Sequence, residues 1–121
     1  MTTEAGDGRV EGCLFCDVVA GDLPAQIAKI GRTVVAFRDV NPQAPLHVLV
    51  VPRHHYPNVA ELAAADAEAL AEIVEVGATL AASEGAGDFR LVFNTGPEAG
   101  QSVFHVHGHV LAGRSFRWPP G

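Results

Sequence analysis

The amino-acid sequence predicts an α+β domain, an antiparallel β-sheet of about five strands carrying one long and one short α-helix. Three observations predict it. Short runs rich in β-branched and aromatic residues recur along the chain, as strands require. One long alanine-rich segment has helical spacing of its apolar residues. No regular alternation of strand and helix is present, so a parallel sheet is not favoured. The length of 121 residues and mass of 12.7 kDa suit a single domain.

The elements follow in chain order. Residues 1–12 contain three glycines and no apolar period, and read as a flexible lead-in to a domain over 13–121. Leu14, Phe15, Val18 and Val19 have the spacing of a short amphipathic helix, punctuated by Gly21 and Pro24. Gln26–Ile30 and Thr33–Arg38 are candidate strands, followed by the proline-bearing loop Asn41–Pro45. Leu46–Val51 is a nearly continuous apolar strand stopped by Pro52, with His47 inside it. Glu61 to about Ser83 is the clearest helix: Leu62, Ala69, Leu70, Ile73, Val74, Gly77, Leu80 and Ala81 share one face. Asp66, Glu68, Glu72 and Glu75 make its solvated side. Phe89–Asn94 and Ser102–Leu111 complete the strands, separated by a glycine-bearing loop.

Composition narrows the function. Hydrophobic residues make up 48% and charged residues 18%, values of a folded rather than a disordered chain. The net charge is −6, and the eight basic residues are scattered, so a nucleic-acid backbone is not an expected partner. Small anionic ligands held by backbone N–H groups and histidines remain compatible with it. The N-terminal residues lack a signal-peptide pattern, and no stretch approaches the roughly 18 apolar residues that span a bilayer. A cytoplasmic protein with no membrane partner is expected, and there a Cys-x-x-Cys pair such as Cys13 and Cys16 serves metal or redox chemistry more often than a structural disulfide.

Six histidines stand out, and three of them, His105, His107 and His109, alternate over five residues. In a continuous strand these three would project from one face, about 6–7 Å apart, with Val106, Gly108 and Val110 on the other. Imidazoles so close disfavour one another's protonation, so at least one stays neutral near pH 7 and can act as nucleophile or metal ligand. Two cysteines with two histidines also make a full tetrahedral metal set, which can coexist with catalysis by the remaining histidines.

The histidine segment does not stand alone. Phe37–His47, Val50–His55, Asn94–Gly96, Gly100–Val103 and His105–Leu111 together resemble, in order, the sequence blocks of the histidine-triad (HIT) superfamily of nucleotide hydrolases and transferases. The terminal Arg117-Trp118-Pro119-Pro120-Gly121 is similar to the end of the Hint branch, the nucleoside phosphoramidases. The resemblance covers Cys13 to Gly121 and implies a HIT-like sheet. It also implies hydrolysis of the P–N bond of purine nucleoside 5′-phosphoramidates, and a homodimer. The long apolar helix and Trp118 lend the dimer slight independent support.

By that resemblance His107 is the nucleophile, attacking the α-phosphorus to give a nucleotidyl-histidine that water hydrolyses. This is a role for a neutral, oriented imidazole. A backbone carbonyl or His47 can orient the cluster, and both remain open. His109 would lie against the phosphate oxygens, and Ser102 would contact the leaving group. The backbone at Gly100 and Gln101 would meet the phosphate or the leaving amine, and Asn94 matches a phosphate-side contact. Asp39 matches the residue that holds the ribose hydroxyls, while Phe15, Val18, Phe37, Val40 and Leu49 would form the slot for the base. Zinc, as a structural ion not needed for the chemistry, would be held by Cys13, Cys16, His55 and the first triad histidine, His105. His54 competes with His55 for that place, and His105 is claimed by both sites.

Two features depart from the Hint pattern. Gly108 replaces a larger apolar residue, so altered packing on the face away from the histidines is expected. The second is the pair Cys13 and Cys16: some bacterial members of the superfamily bind zinc through such a pair, and the animal Hint proteins do without that site. The same resemblance leaves two other functions open: hydrolysis of dinucleoside polyphosphates, and a zinc-stabilised, non-catalytic nucleotide-binding module.

Overall fold

A computed structural model describes residues 8–121 of the chain. Helix α1 (Leu14–Ala20) is followed by strands β1 (Ile27–Ile30), β2 (Val34–Arg38) and β3 (Leu46–Pro52). Helices α2 (Val59–Ala65) and α3 (Ala67–Glu84) come next, then β4 (Arg90–Val92), a 3-10 turn (Pro97–Ala99) and β5 (Gly108–Ala112). The five strands form one antiparallel sheet in the order β1-β2-β3-β5-β4, so the last strand is inserted between β3 and β4. The expected α+β class is the one observed.

Side-chain alternation assigns the two faces. From β2, β3 and β5, Val34, Ala36, Val48, Val50 and Val110 pack under Ile73, Val76, Leu80 and Ala81 of α3. Each such large aliphatic side chain taken fully out of water contributes about 1.5–3 kcal/mol. The opposite face carries Val35, Phe37, Leu49 and Val51, covered by Phe15 and Val18 of α1. Both faces of β3 are therefore covered, which explains its nearly unbroken apolar run. His47 and His109 lie on the α1 face of neighbouring strands, since Leu49 is paired with His109 and His47 with Leu111.

Two expected elements are divided differently. The long helix breaks at Asp66, which leaves helical geometry at φ −150° and closes α2 through its N–H to the Leu62 carbonyl. The Asp66 carboxylate then accepts from the Ala69 N–H at 3.1 Å and starts α3. A short acidic side chain that satisfies an orphan helix donor is favoured at such a boundary. The last strand begins at Gly108 rather than Ser102. Residues before it are irregular and pinned instead by cross-chain bonds, the Val106 N–H donating to the Tyr56 carbonyl at 2.7 Å.

Residues 1–7 of the expected lead-in lie outside the described residues. Of the rest, Arg9 bridges Asp17 and Asp22 at 2.8 and 2.6 Å, and the Gly8 carbonyl accepts from the His55 N–H at 2.9 Å. Gly108 packs as its size demands: a Cβ there would come within 3.0–3.1 Å of Leu91, Ile73 and Phe93, so these three occupy the space of a larger residue. Among the described residues no helix is long and apolar enough to cross a membrane.

Candidate active site

Because β5 starts at Gly108, the three alternating histidines do not share one face. His105 is fully buried and turned toward the cysteines, whereas His107 and His109 stay together with ring centroids 5.1 Å apart. The expectation of three imidazoles on one strand face is thereby corrected, since of the three only His109 lies within β5.

The hydrogen bonds fix the tautomers of the neutral rings. A carbonyl can only accept, so Nδ1 of His107, 2.9 Å from the His105 carbonyl oxygen, carries the proton. Its Nε2 keeps the lone pair. An N–H can only donate, so Nδ1 of His47, 3.0 Å from the Gln43 N–H, is unprotonated and the His47 proton is on Nε2. That proton faces Nδ1 of His109 at 3.0 Å, which leaves His109 with an Nε2–H donor. Both candidate orienters left open by the sequence are in place: a backbone carbonyl for His107 and His47 for His109.

Burial favours the neutral rings. It pushes His109 down to about 4, with the neighbouring His107 and His47 acting in the same direction. His107 and His47 are also lowered by burial, opposed by the His105 carbonyl and Asp39 for the first and by Asp39 for the second. His105 falls to about 4 for the same reason of desolvation.

A slot opens beside His107. Phe15 meets the His107 ring edge-on at 5.0 Å between centroids and lines the slot with Leu14, Val18, Phe37, Asp39 and Val40. Val40 is fully exposed at its mouth. Leu49 is buried in one cluster with Phe15 and Phe37. Asp39 accepts from the Asn41 N–H at 2.8 Å through one oxygen, and its other oxygen is 3.4 Å from His47 Nε2. Asn94 is on the other side, in a cleft with His47 and His109, where its Nδ2 would meet a Cβ on Gly100 at 3.8 Å.

The loop before the histidines departs from expectation. The Gly100 N–H donates to the Pro97 carbonyl and the Gln101 N–H to the Gly96 carbonyl, each at 3.0 Å, so both are spent within the loop. The buried Gln101 side chain bonds the Gly96 N–H and the carbonyls of Pro57 and Val103. Gly100 and Gln101 therefore shape the loop rather than offer free donors. Ser102 is exposed and lines a separate cleft with Val103 and Phe104.

The metal set is assembled from three parts of the chain. Cys13 and Cys16 come from the start of α1, His55 from the end of the β3 loop and His105 from the irregular segment. Their donor atoms all lie within 4.8 Å of one another. Nδ1 of His105 is 3.4 Å from Cys13 Sγ and 3.5 Å from Cys16 Sγ, and Nδ1 of His55 is 3.5 Å from Cys16 Sγ. Tetrahedral zinc with Zn–S near 2.3 Å and Zn–N near 2.05 Å places S and N about 3.6 Å apart, so the set fits structural zinc. His105 presents the lone pair because its Nε2–H donates to the Pro52 carbonyl at 2.8 Å. Burial pushes the Cys16 thiol up to about 11, and a divalent cation is the group able to make it a thiolate. His54 is outside the set, with its ring tilted against Tyr56 at 5.0 Å.

Asp39, His47 and His109 also cluster within metal-ligand range. The tautomer argues against an ion there: the Gln43 N–H needs the lone pair of His47 Nδ1, so the proton stays on the Nε2 that would have to bind. Gln43, Pro52 and Tyr56 contribute through backbone atoms, for which no sequence signal exists.

Similarity to known proteins bears on this arrangement. The family model described as HIT domain matches residues 21–116. An uncharacterised HIT-like protein of Synechocystis sp. is 43% identical over 112 residues, covering 92% of this chain and 98% of the relative. The crystal structure of a HIT family hydrolase from Legionella pneumophila superposes with a TM-score of 0.85 at 41% identity, covering 91% of this chain and 100% of its own. A Zn-bound histidine triad family protein from Mycobacterium smegmatis does so with a TM-score of 0.74 at 31% identity, over 91% and 84% of the two chains.

Proposed function

We propose, for a chain that belongs to the HIT domain family, that it hydrolyses the P–N bond of purine nucleoside 5′-phosphoramidates. The observation that carries this reading is the bond from His107 Nδ1 to the His105 carbonyl, which leaves an oriented Nε2 lone pair beside the slot. With the base between Phe15, Phe37 and Val40 and the ribose hydroxyls on Asp39, the α-phosphorus meets that lone pair.

Nε2 of His107 forms a bond to phosphorus as the P–N bond breaks, and the nitrogen leaves as an amine, receiving a solvent proton relayed by the Ser102 hydroxyl. An equivalent proton returns to solvent when water attacks in the second step. The Nε2–H of His109 donates to a phosphoryl oxygen as charge builds there. Water then attacks phosphorus, the bond to His107 breaks, and the nucleoside monophosphate leaves with the neutral imidazole restored. Cys13, Cys16, His55 and His105 would hold zinc, whose contribution is structural. It ties down the residue whose carbonyl orients His107.

In this reading the enzyme is a cytoplasmic homodimer, with residues 13–121 as its HIT domain. An elution volume matching about 13 kDa at micromolar concentration would contradict the dimer. Hydrolysis of adenosine 5′-phosphoramidate tests the activity. Loss of turnover in His107→Ala, with a nucleotide adduct on His107 seen by mass spectrometry of the quenched native enzyme, is expected. Turnover unchanged in that variant sinks the assignment of the nucleophile.

A further inference from the structure

We propose that Cys13 and Cys16 form a modification site for a hydroperoxide, at which oxidation to an intramolecular Cys13–Cys16 disulfide releases the metal. Access to one thiol, shielding of the other and their separation carry this, independently of the phosphoramidase reading. Cys13 is half-buried and faces an open cleft of about 430 Å³, which it lines with Leu14, Ser102 and Phe104. Cys16 is 2% exposed.

A strap formed by residues 8–12 covers Cys16. The Val10 N–H donates to Cys16 Sγ at 3.4 Å, and the Val10 carbonyl accepts from the Cys13 N–H at 3.2 Å. The strap is tied down by the Gly8 carbonyl, which accepts from the His55 N–H at 2.9 Å, and by Arg9, clamped between Asp17 and Asp22. A small oxidant therefore reaches Cys13 first, while the Cys16 sulfur stays behind the strap. The two sulfurs lie within 4.8 Å of one another, and they approach the same Nδ1 of His105 at 3.4 and 3.5 Å. Cys13 is the extended residue ahead of α1 (φ −81°, ψ 120°), and its sulfur accepts from the Cys16 N–H at 3.3 Å. A disulfide needs an S–S distance of about 2.05 Å, and one change of side-chain rotamer closes such a gap with the backbone in place.

As zinc ligands both sulfurs are thiolates, the form that attacks a peroxide. The Cys13 sulfur attacks one oxygen of hydrogen peroxide, the O–O bond breaks, and Cys13 becomes a sulfenic acid as hydroxide leaves. Cys16 then attacks the Cys13 sulfur, and the S–S bond forms as the S–O bond breaks and a second hydroxide leaves. Two protons from solvent convert both hydroxides to water. The two thiolates have lost two electrons and the peroxide has gained them. The site is then left with the imidazoles of His55 and His105, too few ligands for a tetrahedral set. The His105 ring loses its tie to α1, while its Nε2–H keeps the Pro52 carbonyl at 2.8 Å. Because the His105 carbonyl holds the His107 ring, the oxidation state of the cysteines reaches the histidine cluster.

The test treats the full-length protein, reconstituted with one equivalent of zinc, with hydrogen peroxide. A metallochromic indicator reads free zinc against untreated protein. Release of one zinc per chain is expected as the intact mass of the chain falls by two hydrogens, and peptide mapping should find Cys13 joined to Cys16. Dithiothreitol with added zinc should restore the mass and the metal. Dimedone present during the oxidation should label Cys13 and not Cys16, which reads the order of attack in the native protein. Thiols unchanged by peroxide, zinc retained beside the disulfide, or a disulfide between chains overturns the proposal. So does sulfinic or sulfonic acid as the main product, or dimedone on Cys16. Arg9→Ala loosens the strap and leaves both thiols and the metal set in place. Label on Cys16 as well as Cys13 is expected in that variant, and label still confined to Cys13 overturns the shielding.

Discussion

The backbone N–H of Gln43 donates to Nδ1 of His47 across 3.0 Å, and this one bond sets the direction of the whole imidazole chain. It leaves the His47 proton on Nε2, facing Nδ1 of His109, so that His109 can present a donor from its own Nε2. The loop bearing Gln43 is held from the far side, where Arg114 Nε donates to the Gln43 carbonyl at 2.9 Å. Removing His47 frees the His109 ring to rotate or change tautomer. His47→Ala is therefore expected to lower kcat by about a hundredfold, the cost of misplacing a group by an ångström or so. KM should change much less. Arg114→Ala should act in the same direction and more weakly, since the backbone bond survives on average. Steady-state kinetics check both, and an unchanged kcat in His47→Ala would remove His47 from the chain.

The same tautomer sets the metal content. The native protein is expected to hold one zinc per chain, measured by elemental mass spectrometry after dialysis. Cys16→Ser should abolish it, while Asp39→Asn should leave it unchanged, because the cluster of Asp39, His47 and His109 has no lone pair available on His47 Nε2. Two equivalents, or a loss in Asp39→Asn, contradict this. Chelation should lower both kcat and the melting temperature, because the His105 ring belongs to the metal set while its carbonyl orients His107.

The double claim on His105 shows what the sequence could and could not tell. Its ring and its carbonyl serve different sites, which a side-chain pattern does not separate. The strand over Thr33–Arg38 and the unbroken run of β3 were legible, because β-branched and aromatic content and burial on both faces leave direct marks on composition. The break at Asp66 was not, because Leu62 and Ala69 keep helical spacing across it and the carboxylate is as compatible with a solvated helix face as with a cap. The irregular path of residues 102–107 was hidden for another reason. It is imposed by the carbonyls of Pro52 and Tyr56, and tertiary bonds to backbone atoms override a local strand pattern. The choice of His55 over His54 likewise depends on which ring reaches Cys16.

The pH dependence follows from burial. His107 must be neutral to attack, and it and His47 are held below the ordinary 6.5, with His109 at about 4. The acid limb of kcat/KM, which reports the free enzyme, is therefore expected below pH 6.5. A limb at or above 6.5 would contradict the burial argument. Stability carries a matching sign. A histidine neutral in the fold at about 4 but near 6.5 when unfolded lets the unfolded chain bind the extra proton between those values. The contribution of His109 is thus present above pH 6.5 and is lost as pH falls toward 4, which urea unfolding at stepped pH measures.

Gly108 offers a test of packing that leaves the chemistry in place. The position lies on the α3 face of β5, whereas His109 points to the other face, so a substitution there strains the core before it touches the imidazoles. Leu91, Ile73 and Phe93 already approach to within 3.0–3.1 Å of where a Cβ would stand, and all three would have to retreat together. Gly108→Leu is expected to cost about 1–3 kcal/mol of stability, the usual range for overpacking. Combining it with Phe93→Ala, which opens room beside the same strand, should recover part of that loss relative to Phe93→Ala alone. Chemical denaturation of the four proteins in this cycle reads the coupling directly. Strictly additive effects would mean that the two side chains do not compete for the same space.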